Sequence, residues 1–325
     1  MRMQDKIKKG AGFRFVLPKG AGLIWVLLAL CVVAALLSDA FLNPANVMNV
    51  LRQVALYGIV SVGMTFVILT KGIDLSIGSI LGVAAVTAAL MLVGGSHIAL
   101  VVPVVLLVGL AMGAINGLGI TLGGIPPFIM TLGMMVMGRG LALTLANGQP
   151  IGLGERAKDF SWLGRGAVLG VPVPVVFFAL VAAIAIYVLR YTSYGRQIYA
   201  VGSNTEAARL SGINVGFVTF SVYVISGMLA ALTALIFVSR LTVGEPTAGT
   251  GIELEAIAIT VIGGTSLFGG EGGILGTIIG AGILAVLANI MNLVGISPFT
   301  QQIVKGAIII GAVLYATLRK RRGRF

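Results

Sequence analysis

Ten apolar runs alternate with short polar segments along the chain, and most are long enough to cross a lipid bilayer as helices. A membrane-spanning helix needs about 20 consecutive, mainly apolar residues. The eighth run is short and glycines blur the third and fourth, so nine or eleven spans also fit the pattern. The pattern predicts an all-α polytopic membrane protein with about ten transmembrane helices, at residues 20–38, 50–70, 75–94, 97–122, 127–147, 172–190, 215–238, 253–267, 273–293 and 299–318.

The composition excludes a soluble fold. Of the 325 residues 58% are hydrophobic and only 10% are charged, and the mean hydropathy is +1.08. Soluble domains contain about 25% charged residues. A soluble protein of this length could not bury so much apolar surface, so the transmembrane interpretation holds for most of the chain.

The net charge of +12 comes largely from the two ends of the sequence. Six basic residues precede residue 20 and five follow residue 318. Charge at the ends of a hydrophobic chain indicates membrane orientation rather than nucleic-acid binding. The sequence therefore predicts a basic tail at 1–19, a transmembrane domain at 20–318 and a basic tail at 319–325. An even number of spans places both tails on one side, which the positive-inside rule makes cytoplasmic.

Two short motifs recur at similar distances along the chain. Gly-Ile-Asp-Leu at 72–75 is echoed by Gly-Ile-Glu-Leu at 251–254, and Gly-Ile-Pro-Pro-Phe at 124–128 by Gly-Ile-Ser-Pro-Phe at 295–299. The first pair of motifs precedes spans three and eight, and the second pair precedes spans five and ten. Five spans per half is an odd number, so the halves would cross the membrane in opposite senses. The sequence predicts an inverted five-plus-five repeat, a common feature of transporters.

One long polar connection interrupts the apolar runs, at residues 191–214. Within it the stretch Asn-Thr-Glu-Ala-Ala-Arg-Leu-Ser-Gly can form a short helix, capped by Asn204 or Thr205 and ended by Gly212. We expect a short surface helix between two spans to be a docking element for another protein, and we interpret 191–214 as a coupling loop.

Few polar groups lie in or beside the spans, and a carboxylate at the bilayer centre costs at least ~3 kcal/mol. Asp74, Glu253 and Glu255 stand near span ends, where a carboxylate can cap a helix or line a transport path. Both interpretations remain open for each of them. The predicted translocation path comprises Asp74, Ser76, Asn116, Phe128, Thr131, Glu253, Glu255 and Phe299.

No arrangement typical of catalysis is visible in the sequence. The glycine-rich stretch at 263–273 lacks the GxxxxGK[ST] pattern of a nucleotide loop, and we interpret it as an inner turn between spans eight and nine. No nucleophile–base pair or metal cluster is present either. We expect no cofactor, no metal and no enzymatic activity in the chain itself.

Several motifs together resemble the ribose-type permease subunits of bacterial ABC importers. They are GIDLSIGS (72–79), PPFIMTLG (126–133), GRQIYAVGSNTEAARLSGI (195–213), the stretch 246–277 and the basic tail. The resemblance extends over nearly the whole chain from the second span onward. One local departure is Glu271, where a basic residue is expected in close relatives. Residues 206–208 and Gly212 also resemble the short EAA-and-glycine signature of importer permeases, without its later leucine–proline, which is absent in this sugar branch too.

The resemblance implies a location in the bacterial inner membrane and three kinds of partner. Two ATPase subunits would dock on the coupling loop, a periplasmic or lipid-anchored sugar-binding protein would deliver substrate, and a second permease copy or a paralogue would complete the pore. Substrate would be a monosaccharide of the ribose, xylose, arabinose or galactose class. The implied ATPase-coupling residues are Gly195, Arg196, Ala200, Gly202, Asn204, Glu206, Ala207, Ala208, Arg209 and Gly212.

Other functions fit parts of the pattern. An importer of a polyol or an autoinducer-like signal would share every feature named above. A secondary transporter driven by an ion gradient needs an ionisable group deep in the bundle, and the carboxylates here lie near span ends. The sequence leaves open which solute is carried and whether the two permeases of the pore are identical.

Overall fold

The computed structural model describes residues 21–322, and their regular structure is almost entirely helical. The predicted tail at 1–19 and part of the tail at 319–325 lie outside this range. The helices are α1 (Ala21–Leu37), α2 (Pro44–Leu69), α3 (Ile77–Val93), α4 (Ile98–Thr121), α5 (Pro127–Leu145), α6 (Ala157–Phe160), α7 (Trp162–Arg165), α8 (Val173–Tyr191), α9 (Ser193–Ser203), α10 (Thr205–Leu210), α11 (Val215–Leu241), α12 (Ile252–Ile262), α13 (Ile274–Leu293) and α14 (Pro298–Arg322).

Four short strands form two antiparallel pairs. Strand β1 (Ile151–Gly152) pairs antiparallel with β4 (Val243–Gly244), and β2 (Ala167–Val168) pairs with β3 (Val171–Pro172). A 3-10 turn at Gly154–Arg156 leads into α6. The segment between α5 and α8 is therefore folded, and its short elements pack against the end of α11.

Most predicted spans are confirmed as helices, with one correction. Within the described residues, α2, α4, α5, α8, α11 and α13 are each long and apolar enough to cross a membrane, while α1 and α3 are shorter apolar helices. The predicted eighth span, 253–267, is wrong as a full helical span. Helix α12 has 11 residues and is about 16 Å long, roughly half the ~30 Å hydrocarbon core. Its helix stops because Gly263 and Gly264 follow, the latter with a positive φ of 89°.

The molecule has two ends, joined by α8 and α11. At one end lie the end of α2, the helices α9 and α10, and residues 263–273; we call it the α9–α10 end. At the other lie β1, β4, α6 and α7, which we call the β1–β4 end. The inner turn predicted at 263–273 therefore lies on the same side as the predicted coupling loop.

Two non-helical segments run from opposite ends into the middle of the molecule. The first inward segment, residues 70–76, starts at the α9–α10 end and leads into α3, which runs on to the β1–β4 end. The second inward segment, residues 242–251, starts at the β1–β4 end and leads into α12, which runs to the α9–α10 end. The chain thus makes the third and eighth passes partly as non-helical backbone rich in turns and partly as helix.

The start of α3 meets the second inward segment at Gly78 and Gly249. A Cβ atom at Gly78 would lie 2.3 Å from the Gly249 carbonyl oxygen, and Gly249 itself has a φ of 76°. Only glycine allows the two backbones to approach so closely, because real Cβ atoms do not come within 3 Å of a carbonyl oxygen. The two helix N-termini are therefore fixed beside each other inside the bundle.

The helix packing follows the predicted repeat. At the centre α2 packs against α11, its counterpart in the other half. Helix α11 also packs against α3 and α4, and α2 packs in the same way against α12 and α13. Since the inward segments start from opposite ends, the two halves are related by inversion, as the odd number of spans in each half requires.

Candidate functional site

The predicted coupling loop folds as two consecutive helices, which we call the elbow (α9 and α10). Asn204 caps α10 as expected: its side-chain oxygen accepts hydrogen bonds from the backbone N–H groups of Glu206 and Ala207, both at 3.1 Å. Gly212 follows the helix with a φ of 78°. The eleven-residue helix α9 was not predicted. Its apolar residues Ile198 and Val201 are buried, whereas its polar positions face outward.

The elbow is attached to the membrane helices through backbone contacts. A Cβ atom at Gly202 would lie 1.7 Å from the Leu69 carbonyl oxygen at the end of α2. The same carbonyl accepts a 3.0 Å hydrogen bond from the N–H of Gly270 in the 263–273 loop. Tyr199 donates its hydroxyl to the carbonyl of Gly272 at 2.9 Å. The elbow, the end of α2 and the α12–α13 connection therefore form one packed unit.

The predicted coupling residues divide into an exposed and a buried set. Arg196, Glu206, Ala207, Arg209 and Gly212 are exposed together with Asn204, whereas Gly195, Gly202 and Ala208 are buried and Ala200 is half-buried.

An apolar side chain stands at the tip of the exposed face. Leu210 is 82% exposed, next to an exposed ion pair in which Arg209 and Glu206 lie 3.5 Å apart. An exposed ion pair of this kind contributes little to stability, about 0–1 kcal/mol. These groups remain available for contact with another molecule.

Asp74 lies in a closed polar network inside the bundle. It is 0% exposed and accepts hydrogen bonds from the backbone N–H (3.0 Å) and hydroxyl (2.6 Å) of Ser76 and from the hydroxyl of Ser226 on α11 (2.8 Å). Asn116 on α4 donates to the Ser76 hydroxyl at 2.8 Å. Thr131 on α5 donates to the carbonyl of Ile73 at 3.1 Å. The network ties the first inward segment to three helices.

Glu253, the counterpart of Asp74 in the repeat, has different surroundings. It is half-buried and accepts one backbone hydrogen bond, from the N–H of Gly251 at 3.1 Å. The guanidinium of Arg139 on α5 acts on it electrostatically while donating to the carbonyls of Pro246 (2.6 Å) and Ala248 (3.0 Å). Arg139 thus holds the second inward segment against α5.

A cavity of about 330 Å³ lies between α2, α11 and the second inward segment. It reaches from the β1–β4 end of α11 to the first turn of α12. Leu56, Leu81, Phe237 and Ile252 form its apolar wall. Its polar lining consists of Gln53, Tyr57, Thr233, Arg240, Thr250 and Glu255.

Glu255 is the one member of the predicted path that lines this cavity. Its carboxylate pairs with the ammonium group of Lys305 on α14 and lies beside the Tyr57 hydroxyl, which also faces Gln53. A smaller crevice continues from these groups between α12, α13 and α14. Glu255 of α12 therefore lies together with polar side chains of α2 and α14.

The structure does not bring all the predicted path residues together. Asp74, Ser76, Asn116 and Thr131 form the closed network, away from the cavity lining. Phe128 and Phe299 stand in the first turns of α5 and α14, 51% and 81% exposed, and these helices start at opposite ends of the molecule.

Sequence reasoning missed most of the cavity lining: Gln53, Tyr57, Thr233, Arg240, Thr250 and Lys305. A signal was present in α2, where Arg52 and Gln53 interrupt an apolar run, and in α14, where Lys305 does so. Polar residues inside spans mark transport paths in general. Only the fold shows that these come together with Glu255. Among the residues that the structure describes, no group of three or more His, Cys, Asp or Glu side chains could hold a metal ion.

Comparison with known proteins assigns the chain to a family. The family model described as branched-chain amino acid transport system / permease component matches residues 46–313. This chain belongs to that family of transport permeases.

Among curated relatives, the ribose import permease protein RbsC of Haemophilus influenzae is 45% identical over 89% of this chain and 90% of its own length. RbsC of Escherichia coli K12 is 47% identical over the same shares. The xylose transport system permease protein XylH of Escherichia coli K12 is 37% identical over 87% of both chains.

The fold also has a counterpart among solved structures. An ABC transporter assigned to the metal-chelate type, in an inward-facing conformation, matches with a TM-score of 0.50 over 92% of this chain and 98% of that chain. Sequence identity is 13%, so the likeness concerns the fold alone. It agrees with an all-α polytopic membrane protein.

Proposed function

We propose that this chain is the permease subunit of an ATP-binding-cassette importer that carries a monosaccharide of the ribose and xylose class. The similarity to ribose and xylose permeases along most of the chain supports this cargo. The observation that carries the proposal is the elbow, which presents an exposed helix on one face and is joined to membrane helices by backbone contacts on the other. Separate ATPase subunits supply the energy.

The elbow transmits force because its inner face packs tightly against the end of α2 and against the 263–273 loop. Gly202 touches the backbone of α2, and the same carbonyl of α2 is bonded to the 263–273 loop. When the ATPase subunits close and push α10, the elbow, the end of α2 and the α12–α13 connection move together. The first inward segment begins at this unit, and α12 ends at it. The junction between the two halves therefore shifts when the unit moves, and the pore opens to the other side of the membrane.

The partners occupy opposite ends of the molecule. The ATPase subunits dock on the elbow in the cytoplasm, on the side of both chain termini, and a periplasmic or lipid-anchored sugar-binding protein delivers substrate at the β1–β4 end. A second permease copy or a paralogue completes the pore in the bacterial inner membrane. The high basic charge of both tails supports this orientation.

Reconstituted transport tests the proposal directly. The permease, its ATPase subunits and the sugar-binding protein are placed in proteoliposomes, and uptake of labelled ribose, xylose, ribitol and leucine is measured with and without ATP. We expect ATP-dependent uptake of a pentose that survives an uncoupler. Uptake driven by an ion gradient without ATPase subunits would support a secondary transporter instead. Uptake of ribitol or leucine alone would leave the mechanism intact and reject the cargo.

Substitutions at the elbow test the docking surface. Leu210→Asp should abolish ATP-driven uptake while ATP hydrolysis by the bound subunits escapes control, whereas Leu210→Met preserves the apolar tip and should transport normally. Gly212→Pro should have a similar effect to Leu210→Asp, because proline cannot adopt the φ of 78° found there. Normal uptake by Leu210→Asp and Gly212→Pro would contradict the assignment of the elbow.

A further inference from the structure

Building on the proposed function, we propose that the cavity between α2, α11 and the second inward segment is a binding site for one neutral polyhydroxy molecule in transit. The permease then recognises its cargo itself, in addition to any selection by the binding protein. The site is formed by Gln53, Tyr57, Thr233, Thr250 and Glu255 with an aromatic side chain, Phe237.

The size of the cavity suits a single small solute. At about 330 Å³ it lies at the lower end of the range of roughly 300–1,000 Å³ found for small-molecule pockets. It can hold a solute of monosaccharide size. Part of the wall is apolar, at Leu56, Leu81 and Phe237, and can cover the C–H faces of a sugar ring.

The polar groups of the cavity match hydroxyl groups. Tyr57 and Thr233 carry hydroxyls that both donate and accept, and Gln53 offers an amide with donors and an acceptor. Such mixed groups complement a ligand whose hydroxyls also donate and accept. The hydroxyl of Thr233 already donates within its own helix, to the Leu229 carbonyl at 2.9 Å, so toward a ligand it can act only as an acceptor.

The distribution of charge favours a neutral ligand in the deep part. The only carboxylate in the lining, Glu255, is paired with Lys305, so its charge is compensated within the protein. Arg240, in the last turn of α11, adds a positive charge to the lining, and Arg52 lies close enough to act on it electrostatically. A cationic ligand is repelled there, whereas a neutral polyol is not.

Tryptophan fluorescence gives a direct test on the purified permease with its ATPase subunits. The chain has two tryptophans, so Phe237→Trp is made in a Trp25→Phe, Trp162→Phe background. We expect ribose to change the emission of Trp at 237 in a saturable manner, and leucine and ribonate to have no effect. In the matched variant Phe217→Trp the substituted residue is exposed on the same helix, at the α9–α10 end, and this variant should not respond to ribose.

Each outcome has a clear meaning. No response at 237 at ribose concentrations that saturate uptake, or an equal response at 217, overturns the site. A response to ribonate but not to ribose overturns the neutral class. A response to leucine alone shows a cavity that binds cargo and rejects the monosaccharide assignment of the proposed function, so the two failures are distinguishable.

Removal of single hydrogen-bonding groups provides a second test that does not depend on fluorescence. Thr233→Val and Gln53→Leu should each raise the ribose concentration needed for half-maximal uptake about 2–10-fold, the loss expected for one hydrogen bond of roughly 0.5–1.5 kcal/mol. The control Thr144→Val removes an exposed hydroxyl on α5 outside the cavity and should transport as the unaltered protein does. Equal half-saturation in all three variants would refute the site.

Discussion

The two inward segments occupy equivalent places in the repeat and carry nearly the same four residues, yet their carboxylates have opposite surroundings. Asp74 in the first segment is fully buried and accepts three hydrogen bonds from Ser76 and Ser226. Glu253, in the first turn of α12 directly after the second segment, is half-buried and accepts one, and Glu255 two residues further faces the cavity. One inward segment is therefore fastened to its neighbours, while the other borders open space.

This difference shows how equivalent segments in the two halves of an inverted repeat can have different roles. The first inward segment is fixed by hydrogen bonds to α4, α5 and α11, so it moves only with them. The second is held mainly by Arg139 and by the glycine contact at Gly249, and its next turn lines the cavity. We infer that the first segment is the rigid reference and the second the side that responds to cargo.

The largest difference should appear when each carboxylate is removed. Asp74→Leu leaves three buried donors without an acceptor and should lower the free energy of unfolding by about 3 kcal/mol or more. Glu253→Leu removes one partly exposed bond and should cost about 1 kcal/mol. Thermal unfolding of the two purified variants in detergent measures both. Equal losses would mean that the two segments are held in the same way.

Asp74→Asn separates a structural role for Asp74 from one in transport. The amide keeps the shape of the side chain but can accept fewer bonds. We expect lower amounts of inserted protein and normal uptake per molecule, since Asp74 lies outside the cavity lining. Normal amounts with reduced uptake would place Asp74 on the path.

A smaller difference in stability is expected between two glycine substitutions. It should separate the close backbone contact at Gly249 from backbone strain alone. Both Gly249 (φ 76°) and Gly251 (φ 85°) adopt the left-handed conformation, but only a Cβ at Gly249 would collide, 2.6 Å from the Gly78 carbonyl oxygen. Gly251→Ala should cost about 1–2 kcal/mol for strain alone. Gly249→Ala should cost about 1–3 kcal/mol more for overpacking. If the two variants unfold at the same temperature, the inward segments do not pack as described.

The next prediction concerns transport rather than stability. Glu255→Gln removes the charge partner of Lys305 at the cavity and should lower uptake roughly tenfold, the equivalent of about 1.4 kcal/mol. The stability change should stay near 1 kcal/mol, because the pair is partly exposed. Glu253→Gln serves as the matched control, with uptake close to that of the unaltered chain. Initial rates in proteoliposomes measure both, and a larger loss for Glu253→Gln would reverse the assignment.

The smallest effect is expected at the start of the first inward segment. Lys71 donates from its ammonium group to the carbonyl of Ser203 at 3.3 Å, an exposed contact between this segment and the elbow. Lys71→Met should change the free energy of unfolding by less than about 1 kcal/mol. Uptake per ATP hydrolysed should fall slightly, and an unchanged ratio would show that this contact carries no force.

Much of the fold could be predicted because hydropathy reports membrane burial directly. The cap at Asn204 and the turn at Gly212 were also predictable, because these residue types have specific backbone roles. Helix α12 was overestimated, since the apolar run continues beyond Ile262 while the glycines at 263 and 264 end the helix. Helix α9 was missed because its amphipathic pattern lies in a segment that resembled a polar loop.

The candidate site was harder to predict. The motif that contains Asp74 drew attention to a residue that the fold closes off, whereas Tyr57 and Thr233 stand in apolar runs without a distinguishing motif. Their role depends on distant parts of the chain meeting around one space. Only Glu255 belonged to both the predicted path and the observed cavity.

The short length of α12 also affects how the membrane topology of such proteins is predicted from their sequences. A survey that accepts only uninterrupted apolar helices of 18 residues or more would overlook this pass together with the shorter helices α1 and α3, and would count three crossings too few. The parity of the count would change, and the C-terminus would be drawn on the wrong face of the membrane. A reporter enzyme fused behind α14, active on one side of the membrane only, would reveal the error in a single assay.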